Sequence, residues 1–256
     1  MNGRMTEFAT ATDGATIAFE TLGEGEPIVL VHGFGASRAI TWANTNWYQT
    51  LSRAGRRVVA IDCRGHGQSD KPYAIPSYDE GLMAADISAV LEALGIEQAD
   101  LMGYSMGGYL AIRLMGDSPA LVRRTILAGV GENYFRLSDE RAEIIAQGLL
   151  AKDPSTITDP EAIAFRTFCE RAGNDLLALA ACIRRPRRVF APGELRQISH
   201  PVLVVCGEQD ETSGRPEPLA DSFPRGRAVL VPKRNHHSTV GDRLYKEAVT
   251  EFLKTD

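Results

Sequence analysis

The sequence predicts a doubly wound α/β fold with a mostly parallel β-sheet. Short apolar runs recur along the chain, as in strands that are covered on both faces, and helical patterns separate them. A hairpin with a turn at Asp13–Gly14 is predicted over residues 6–22. The later strands are predicted at Ile28–His32, Arg57–Asp62, Ala99–Tyr104, Thr125–Gly129, Pro201–Gly207 and Ala228–Val231.

The helices between and after these strands are indicated by apolar residues at helical spacing. The first begins at Ser77, because Glu80 three residues later completes a capping-box pattern, and it ends at Gly95. Two further helices cover Met106–Met115 and Arg243–Leu253. Strand and helix therefore alternate, which is the order that a parallel sheet requires.

One segment, residues 131–197, shows helical patterns and no strand pattern. We interpret it as a helical cap inserted into a core that comprises residues 1–130 and 198–256. Ordinary crossover helices are the alternative interpretation. The predicted helices of this segment are Glu140–Ala151, Pro160–Arg171 and Leu176–Ile183.

The composition argues against several classes of protein. The 256 residues carry a net charge of −5, so neither a nucleic-acid partner nor a membrane partner is indicated. The four cysteines form no CxxC pair, and we expect them to be reduced thiols rather than metal ligands. With no secretory signal pattern and no apolar run near 20 residues, we expect a cytoplasmic protein. A homodimer is compatible with the sequence.

The segment Gly103-Tyr104-Ser105-Met106-Gly107 fits the G-x-S-x-G pattern of a nucleophile elbow. It follows a predicted strand and opens a predicted helix, which is the context that this pattern requires. A sharp strand-to-helix turn holds such a serine in a strained conformation, and the glycines allow the chain to pass close to itself. We therefore predict that Ser105 is a nucleophile.

A serine hydroxyl needs a base, and the base needs an acid that orients it. Asp210 follows the penultimate predicted strand and is the predicted acid, with Glu132 as the rival position. Glu208 is expected to point away. The base should follow the last strand, where two histidines are adjacent. Spacing to the final helix favours His236, and His237 remains the alternative.

The negative charge that develops on a substrate oxygen needs hydrogen-bond donors. The backbone N–H of Met106 is one predicted donor, and the N–H of Phe34 is the other. Phe34 lies in the loop at residues 32–35, where the His32 imidazole is expected to act as a structural brace.

Three residues are predicted to line the substrate pocket, namely Gly33, Trp42 and His237. For Trp42 and the nearby Trp47, packing of the first helix is an equally open interpretation.

Two charged segments are interpreted as structural. Residues 62–70 contain glycines but no phosphate-binding pattern, and Arg64 and Asp70 are expected to brace the floor of the site. The run Arg184–Arg188 contains four arginines and is interpreted as a solvated face at the end of a cap helix. If this run faced the pocket instead, substrates with a carboxylate would be favoured.

Taken together, these motifs resemble the α/β-hydrolase family over nearly the whole chain. The resemblance implies an eight-stranded, largely parallel sheet and an acyl-enzyme mechanism without metal or cofactor. It also implies that His236 deprotonates Ser105, that Asp210 holds the imidazole, and that water completes the reaction. The motifs are H-G-F-G at 32–35, D-x-R-G-x-G-x-S at 62–69, G-Y-S-M-G-G at 103–108, V-V-x-G-x-x-D at 204–210 and the terminal histidine loop.

Within this family, the sequence favours a carboxylesterase that acts on small esters. A serine nucleophile argues against dehalogenases and epoxide hydrolases, which use aspartate. The S-M-G-G segment at 105–108 resembles carbon–carbon bond hydrolases of aromatic catabolism, although the tryptophan that usually follows their catalytic histidine is absent. Lactonases and cofactor-free haloperoxidases, which act as perhydrolases, are further alternatives. A catalytically silent binding protein is the alternative from a different class.

Overall fold

The structure is a computed structural model that describes residues 5–136 and 138–254. The N-terminal segment, in which no secretory signal is predicted, begins with four residues outside this range. The ends of the predicted core, and residue 137 of the predicted cap, also lie outside it.

The described residues form one sheet of eight strands. The strands are β1 (Glu7–Thr10), β2 (Thr16–Leu22), β3 (Glu26–Val31), β4 (Arg56–Ile61), β5 (Ala99–Tyr104), β6 (Val122–Ala128), β7 (Val202–Gly207) and β8 (Gly226–Val231). Their order is β1-β2-β4-β3-β5-β6-β7-β8. The β1–β2 and β2–β4 pairs are antiparallel, and the other five pairs are parallel. The predicted eight-stranded, mostly parallel sheet is therefore confirmed.

Three strands are longer than the apolar pattern predicts. β3 begins at Glu26 rather than at Ile28, β6 at Val122 rather than at Thr125, and β8 at Gly226 rather than at Ala228. The added residues include arginines, which an apolar run cannot contain. Arg123 in β6 pairs with the buried Asp100, whose Oδ1 lies 2.9 Å from its Nε.

Nine α-helices, two of them of only four residues, accompany the sheet in the described part of the chain. They are α1 (Trp47–Arg53), α2 (Glu80–Ala93), α3 (Met106–Asp117), α4 (Asp139–Leu150), α5 (Pro160–Arg171), α6 (Leu176–Ile183), α7 (Pro192–Leu195), α8 (Glu217–Ala220) and α9 (Arg243–Phe252). None of these helices combines the length and the apolarity that crossing a lipid bilayer requires.

The predicted start of α2 is wrong. Ser77 lies in a 3-10 turn, and the helix is capped by Asp79, whose side chain accepts hydrogen bonds from the N–H groups of Gly81 and Leu82. Glu80 does not complete a capping box, because its buried carboxylate instead accepts a hydrogen bond from the Arg188 N–H at 2.9 Å. A tertiary contact has therefore replaced the local one.

Helices cover both faces of the sheet. On one face, α2 and α3 pack over residues such as Val29 and Leu127. On the other face, α1 and α9 pack over residues such as Ile28 and Ile126. Adjacent residues of one strand thus point into different apolar layers, which explains the continuous apolar runs in the sequence.

The helices α4, α5 and α6, which we call the cap helices, lie between β6 and β7 in the chain. They pack on one another around a separate apolar cluster that includes Ile145, Cys169 and Leu179. Phe34, from the loop after β3, packs against this cluster. The cap helices therefore contact the edge of the sheet where the parallel strands end.

Candidate active site

Ser105 lies in the sharp turn between β5 and α3, with φ at 50° and ψ at −116°. This left-handed φ is unfavourable for a residue with a side chain, so the surrounding structure has to maintain it. A Cβ atom on Gly103 would lie 2.2 Å from the Gly107 carbonyl oxygen, and a Cβ on Gly107 would lie 2.0 Å from that of Val31. Both glycines are thus required for the close packing that positions Ser105.

His236 and Asp210 form a hydrogen-bonded pair in the loops after β8 and β7. Nδ1 of His236 lies 2.9 Å from Oδ2 and 3.1 Å from Oδ1 of Asp210. The imidazole also packs against Tyr104, the residue before Ser105, with 5.6 Å between ring centroids. Because an ionised carboxylate only accepts hydrogen bonds, Nδ1 carries the proton and Nε2 is left as a base.

Ser213, which the sequence did not predict as a site residue, also donates hydrogen bonds to Asp210. Its hydroxyl donates to Oδ2 of Asp210 at 2.7 Å, and its N–H donates to Oδ1 at 2.9 Å. Burial raises the pKa of Asp210, but the hydrogen bonds from His236 and Ser213 outweigh this effect and hold the pKa below its ordinary value. The carboxylate is therefore ionised at neutral pH.

The rival acids lie elsewhere. Glu132 accepts a hydrogen bond from the N–H of Arg215 at 3.2 Å and also pairs with Arg136. Glu208 is exposed and accepts from the N–H of Lys233 at 2.8 Å, so it points away, as predicted. His237 lies next to His236 on the wall of the cavity, and its ring centroid is 6.1 Å from that of Phe168. Of the two histidines, only His236 has an Asp210 contact among the described hydrogen bonds.

His32 fixes the orientation of one peptide in the loop after β3. The Cys63 N–H donates to Nε2 of His32 at 3.0 Å, so the proton of this buried imidazole is on Nδ1. Nδ1 in turn donates to the Gly33 carbonyl oxygen at 2.7 Å. In a trans peptide the C=O and N–H point in opposite directions, and the Phe34 N–H of the same unit is thereby turned away from His32. His32 is thus a structural brace, as predicted.

The two predicted oxyanion donors have no partner within the part of the chain that the structure describes. Among the hydrogen bonds of residues 5–136 and 138–254, none is donated by the backbone N–H of Phe34 or of Met106. Both residues line the same cavity as Ser105. Their N–H groups are therefore available to a substrate oxygen.

A cavity of about 1120 Å³ lies between the carboxyl ends of the strands and the cap helices. Ser105, His236 and two of the three predicted pocket residues, Gly33 and His237, line it. Trp42 does not line it, and this prediction is wrong. Its side chain is fully buried in the core on the α1 side of the sheet, with its ring centroid 6.3 Å from that of Trp47.

The interpretation of Arg184–Arg188 as a solvated face is wrong for two of its four arginines. Arg185 is 4% exposed, and it lines the cavity together with Arg187. The Nε atoms of both are buried without a hydrogen-bond partner, and no carboxylate within the described ranges lies within 4.0 Å of either side chain. Arg184 instead pairs with Glu143 at 2.7 Å on the cap surface.

Arg64 and Asp70 of the loop at residues 62–70 have structural contacts, as predicted, but they brace a different part of the fold. Arg64 is buried and binds Asp86 of α2 at 2.6 Å and Asp13 of the first hairpin at 2.7 Å. Asp70 accepts a hydrogen bond from the N–H of Thr16 at 2.7 Å. These contacts tie the loop to the β1–β2 hairpin and α2 rather than to the floor of the cavity.

The arrangement brings together a strained serine, a histidine with a free Nε2, a buried carboxylate and two unpartnered N–H groups. A family model described as the alpha/beta hydrolase fold matches residues 26–168. The chain belongs to the α/β-hydrolase-fold family. The resemblance in the sequence motifs is thereby confirmed, and relatives that are named hydrolases support hydrolase activity.

Three comparisons describe this α/β-hydrolase further. It is 36% identical to a 2-hydroxy-6-oxo-2,4-heptadienoate hydrolase from Pseudomonas putida, over 84% of this chain and 81% of the relative. It is 27% identical to a putative 2-succinyl-6-hydroxy-2,4-cyclohexadiene-1-carboxylate synthase from Bacillus subtilis, over 95% and 97% of the two chains. A thermophilic esterase from Thermogutta terrifontis superposes with a TM-score of 0.76 at 26% identity, with 98% of each chain covered.

Proposed function

We propose that this α/β-hydrolase is a serine hydrolase that cleaves small carboxylic esters through an acyl-enzyme on Ser105. The observation that carries the proposal is the Asp210–His236 pair, whose imidazole lines the same cavity as Ser105. The similarity to a solved esterase supports an ester substrate.

In the proposed reaction, Oγ of Ser105 attacks the carbonyl carbon of the ester while its proton moves to Nε2 of His236. The N–H groups of Phe34 and Met106 stabilise the resulting oxyanion. When the intermediate collapses, the carbon–oxygen bond breaks and the alcohol leaves with the proton from His236. Water then attacks the acyl-enzyme, gives a proton to Nε2, and releases the acid; that proton returns to Ser105.

The direct test is labelling with a fluorophosphonate probe, which reacts preferentially with an activated serine. We expect one adduct per chain, located on Ser105 by peptide mass spectrometry, together with loss of p-nitrophenyl acetate and butyrate hydrolysis. Activity that survives full exposure to the probe, or an adduct on another residue, would contradict the proposal.

A second candidate is hydrolysis of a carbon–carbon bond in a substrate that bears a carboxylate. The buried Arg185 and the half-buried Arg187 on the cavity wall favour it, because a guanidinium without a carboxylate partner binds a carboxylate strongly. The Pseudomonas putida relative, named for a dienoate, also supports it. Under this candidate the same Ser105 and His236 operate on a ketone carbonyl.

Paired substrates separate the two candidates. A monomethyl dicarboxylate and its dimethyl ester differ only in the free carboxylate, and a 2-hydroxy-6-oxodienoate tests carbon–carbon cleavage. The ester proposal predicts higher kcat/KM on the esters, and the second candidate predicts higher kcat/KM on the dienoate. Lactones and peracid formation belong in the same panel, because the sequence leaves those activities open.

The contribution of Arg185 to binding a substrate carboxylate can be tested with Arg184 as the matched control. Replacing Arg185 by glutamine should lower kcat/KM for carboxylate-bearing substrates by about 10-fold or more, the cost of one charge-assisted hydrogen bond, and spare the neutral diester. Arg184→Gln, on the cap surface, should change neither. Equal losses on charged and neutral substrates in Arg185→Gln would assign that arginine a packing role only.

A further inference from the structure

Gly35, the residue after the predicted oxyanion donor Phe34, is held by hydrogen bonds from two directions. Its N–H donates to Nε2 of the buried His66 at 3.0 Å. Its carbonyl oxygen accepts from Nδ2 of Asn174 at 2.6 Å. His66 belongs to the loop after β4, whereas Asn174 lies between the cap helices α5 and α6. The core and the cap therefore each hold one side of the same residue.

The packing around Gly35 allows little movement. Its φ is +70°, and a Cβ atom at this position would lie 2.7 Å from Sγ of Cys169 and 3.3 Å from the ring of Phe168. Both contacts come from α5. The Phe34 ring lies between the rings of His66 and Phe165, at centroid distances of 5.7 and 5.8 Å. The loop is thus enclosed between α5 and the core.

Asn174 is itself held in a fixed place. Its N–H donates to the Cys169 carbonyl at 3.1 Å, in the turn that ends α5. The next residue, Asp175, caps α6 and also accepts a hydrogen bond from the Tyr73 hydroxyl of the core at 2.8 Å. Among the described residues, two side-chain hydrogen bonds therefore dock this turn of the cap on the core, and only the one from Asn174 reaches the oxyanion loop.

We propose that Asn174 is a positioning residue, through which the docked cap helps to hold the Phe34 N–H in the direction that the His32–Gly33 hydrogen bond gives it. This inference rests on the proposed function, in which that N–H stabilises the oxyanion. Asn174 touches no reacting atom. Its side chain binds the Gly35 carbonyl, which belongs to the peptide that follows Gly35. The Phe34 N–H belongs to the peptide that precedes Phe34, two peptide units earlier in the chain. Catalysis then depends on the cap being seated, because a displaced turn would release the loop.

The effect should appear in the transition state and not in substrate binding. Losing an oxyanion donor outright costs about 10²–10³-fold in rate, and misalignment of one should cost less, about 10-fold or more. We expect Asn174→Ala to lower kcat by about that factor with KM nearly unchanged. Asn174→Asp, which is isosteric and places a carboxylate oxygen against the Gly35 carbonyl, should lower kcat further.

The matched control is Tyr73→Phe, which removes the other side-chain contact between this turn and the core and leaves Gly35 untouched. It should retain kcat. A boronic acid inhibitor, whose adduct with Ser105 carries an oxyanion-like oxygen, should lose affinity in the two Asn174 variants in proportion to kcat. Thermal melting shows whether each variant is folded, and the rate of fluorophosphonate labelling gives the same comparison without a substrate.

Unchanged kcat in both Asn174 variants would overturn the inference, and so would an equal loss in Tyr73→Phe. A loss of kcat without weaker boronic acid binding would also overturn it, because it would indicate a general structural effect. Failure of the proposed function is distinguishable, since it appears as full activity in Ser105→Ala whatever the Asn174 variants do.

Discussion

Nδ1 of His236 lies 2.9 Å from Oδ2 of Asp210, a carboxylate that is 4% exposed and receives two further hydrogen bonds from Ser213. This contact fixes the tautomer of the imidazole. It also supplies a negative charge that stabilises the imidazolium formed when His236 accepts a proton.

Asp210→Asn should reduce kcat by about 10⁴-fold, because an amide in this place can donate to Nδ1 and thereby favour the wrong tautomer. Steady-state kinetics on the best ester of the panel measure the loss. Glu132→Gln is the control at the rival position and should retain kcat. If Glu132→Gln were the more damaging change, the orienting acid would have to be reassigned.

The adjacent histidines should behave differently. His236→Ala should abolish measurable kcat, because it removes the general base. His237→Ala should change kcat by less than about 10-fold, because its ring only borders the cavity. Parallel kinetics with both variants, checked for folding by circular dichroism, give the comparison. The opposite ranking would assign the proton transfer to His237.

The close packing of the elbow predicts a steric effect on stability. Gly107→Ala would place a Cβ atom 2.0 Å from the Val31 carbonyl oxygen, so the backbone has to shift. We expect a loss of about 3 kcal/mol or more in the free energy of unfolding, measured in urea. Gly193→Ala is the control, since a Cβ there meets nothing within 4 Å. Similar losses at both positions would refute the steric explanation.

Burial lowers the pKa of His66 well below its ordinary value of 6.5, so the folded chain binds this proton less readily than the unfolded chain. The stability that neutral His66 provides is therefore present above pH 6.5 and is lost as the pH falls below it. Burial raises the pKa of Asp86 and of Asp100 to about 6, and these groups act in the opposite direction. A variant is needed to isolate the histidine.

His66→Gln keeps an acceptor for the Gly35 N–H and removes the titrating group. Its melting temperature should fall less between pH 7 and pH 5 than that of the unmodified chain, with differential scanning calorimetry as the measurement. Parallel curves for the two proteins would show that His66 contributes no pH-dependent stability.

Much of the fold and of the candidate site is predictable from the sequence, because the signals are local. The elbow around Ser105 depends on glycines two residues away, and the continuous apolar runs report strands covered on both faces. The order of Asp210 and His236 along the chain places both at the carboxyl ends of neighbouring parallel strands. Only the sheet order is needed to bring such residues together.

The features that the sequence does not predict depend on contacts between distant segments. Asp79 caps α2, and Glu80 is bound by the Arg188 N–H, from a segment beyond the cap helices. Arg185 lines the cavity, and a run of charges in the sequence carries no sign of which side chains face inward. Trp42 is equally suited to a pocket or to a core until the course of α1 is known.

The central claim is that Ser105 is the nucleophile. The most direct test is to measure kcat and kcat/KM of Ser105→Ala on the best substrate of the panel. We expect kcat to fall by on the order of 10⁶-fold, as when a serine nucleophile is removed from another serine hydrolase, and the melting temperature to stay close to that of the unmodified chain. A folded Ser105→Ala variant that retained the original kcat/KM would contradict the account.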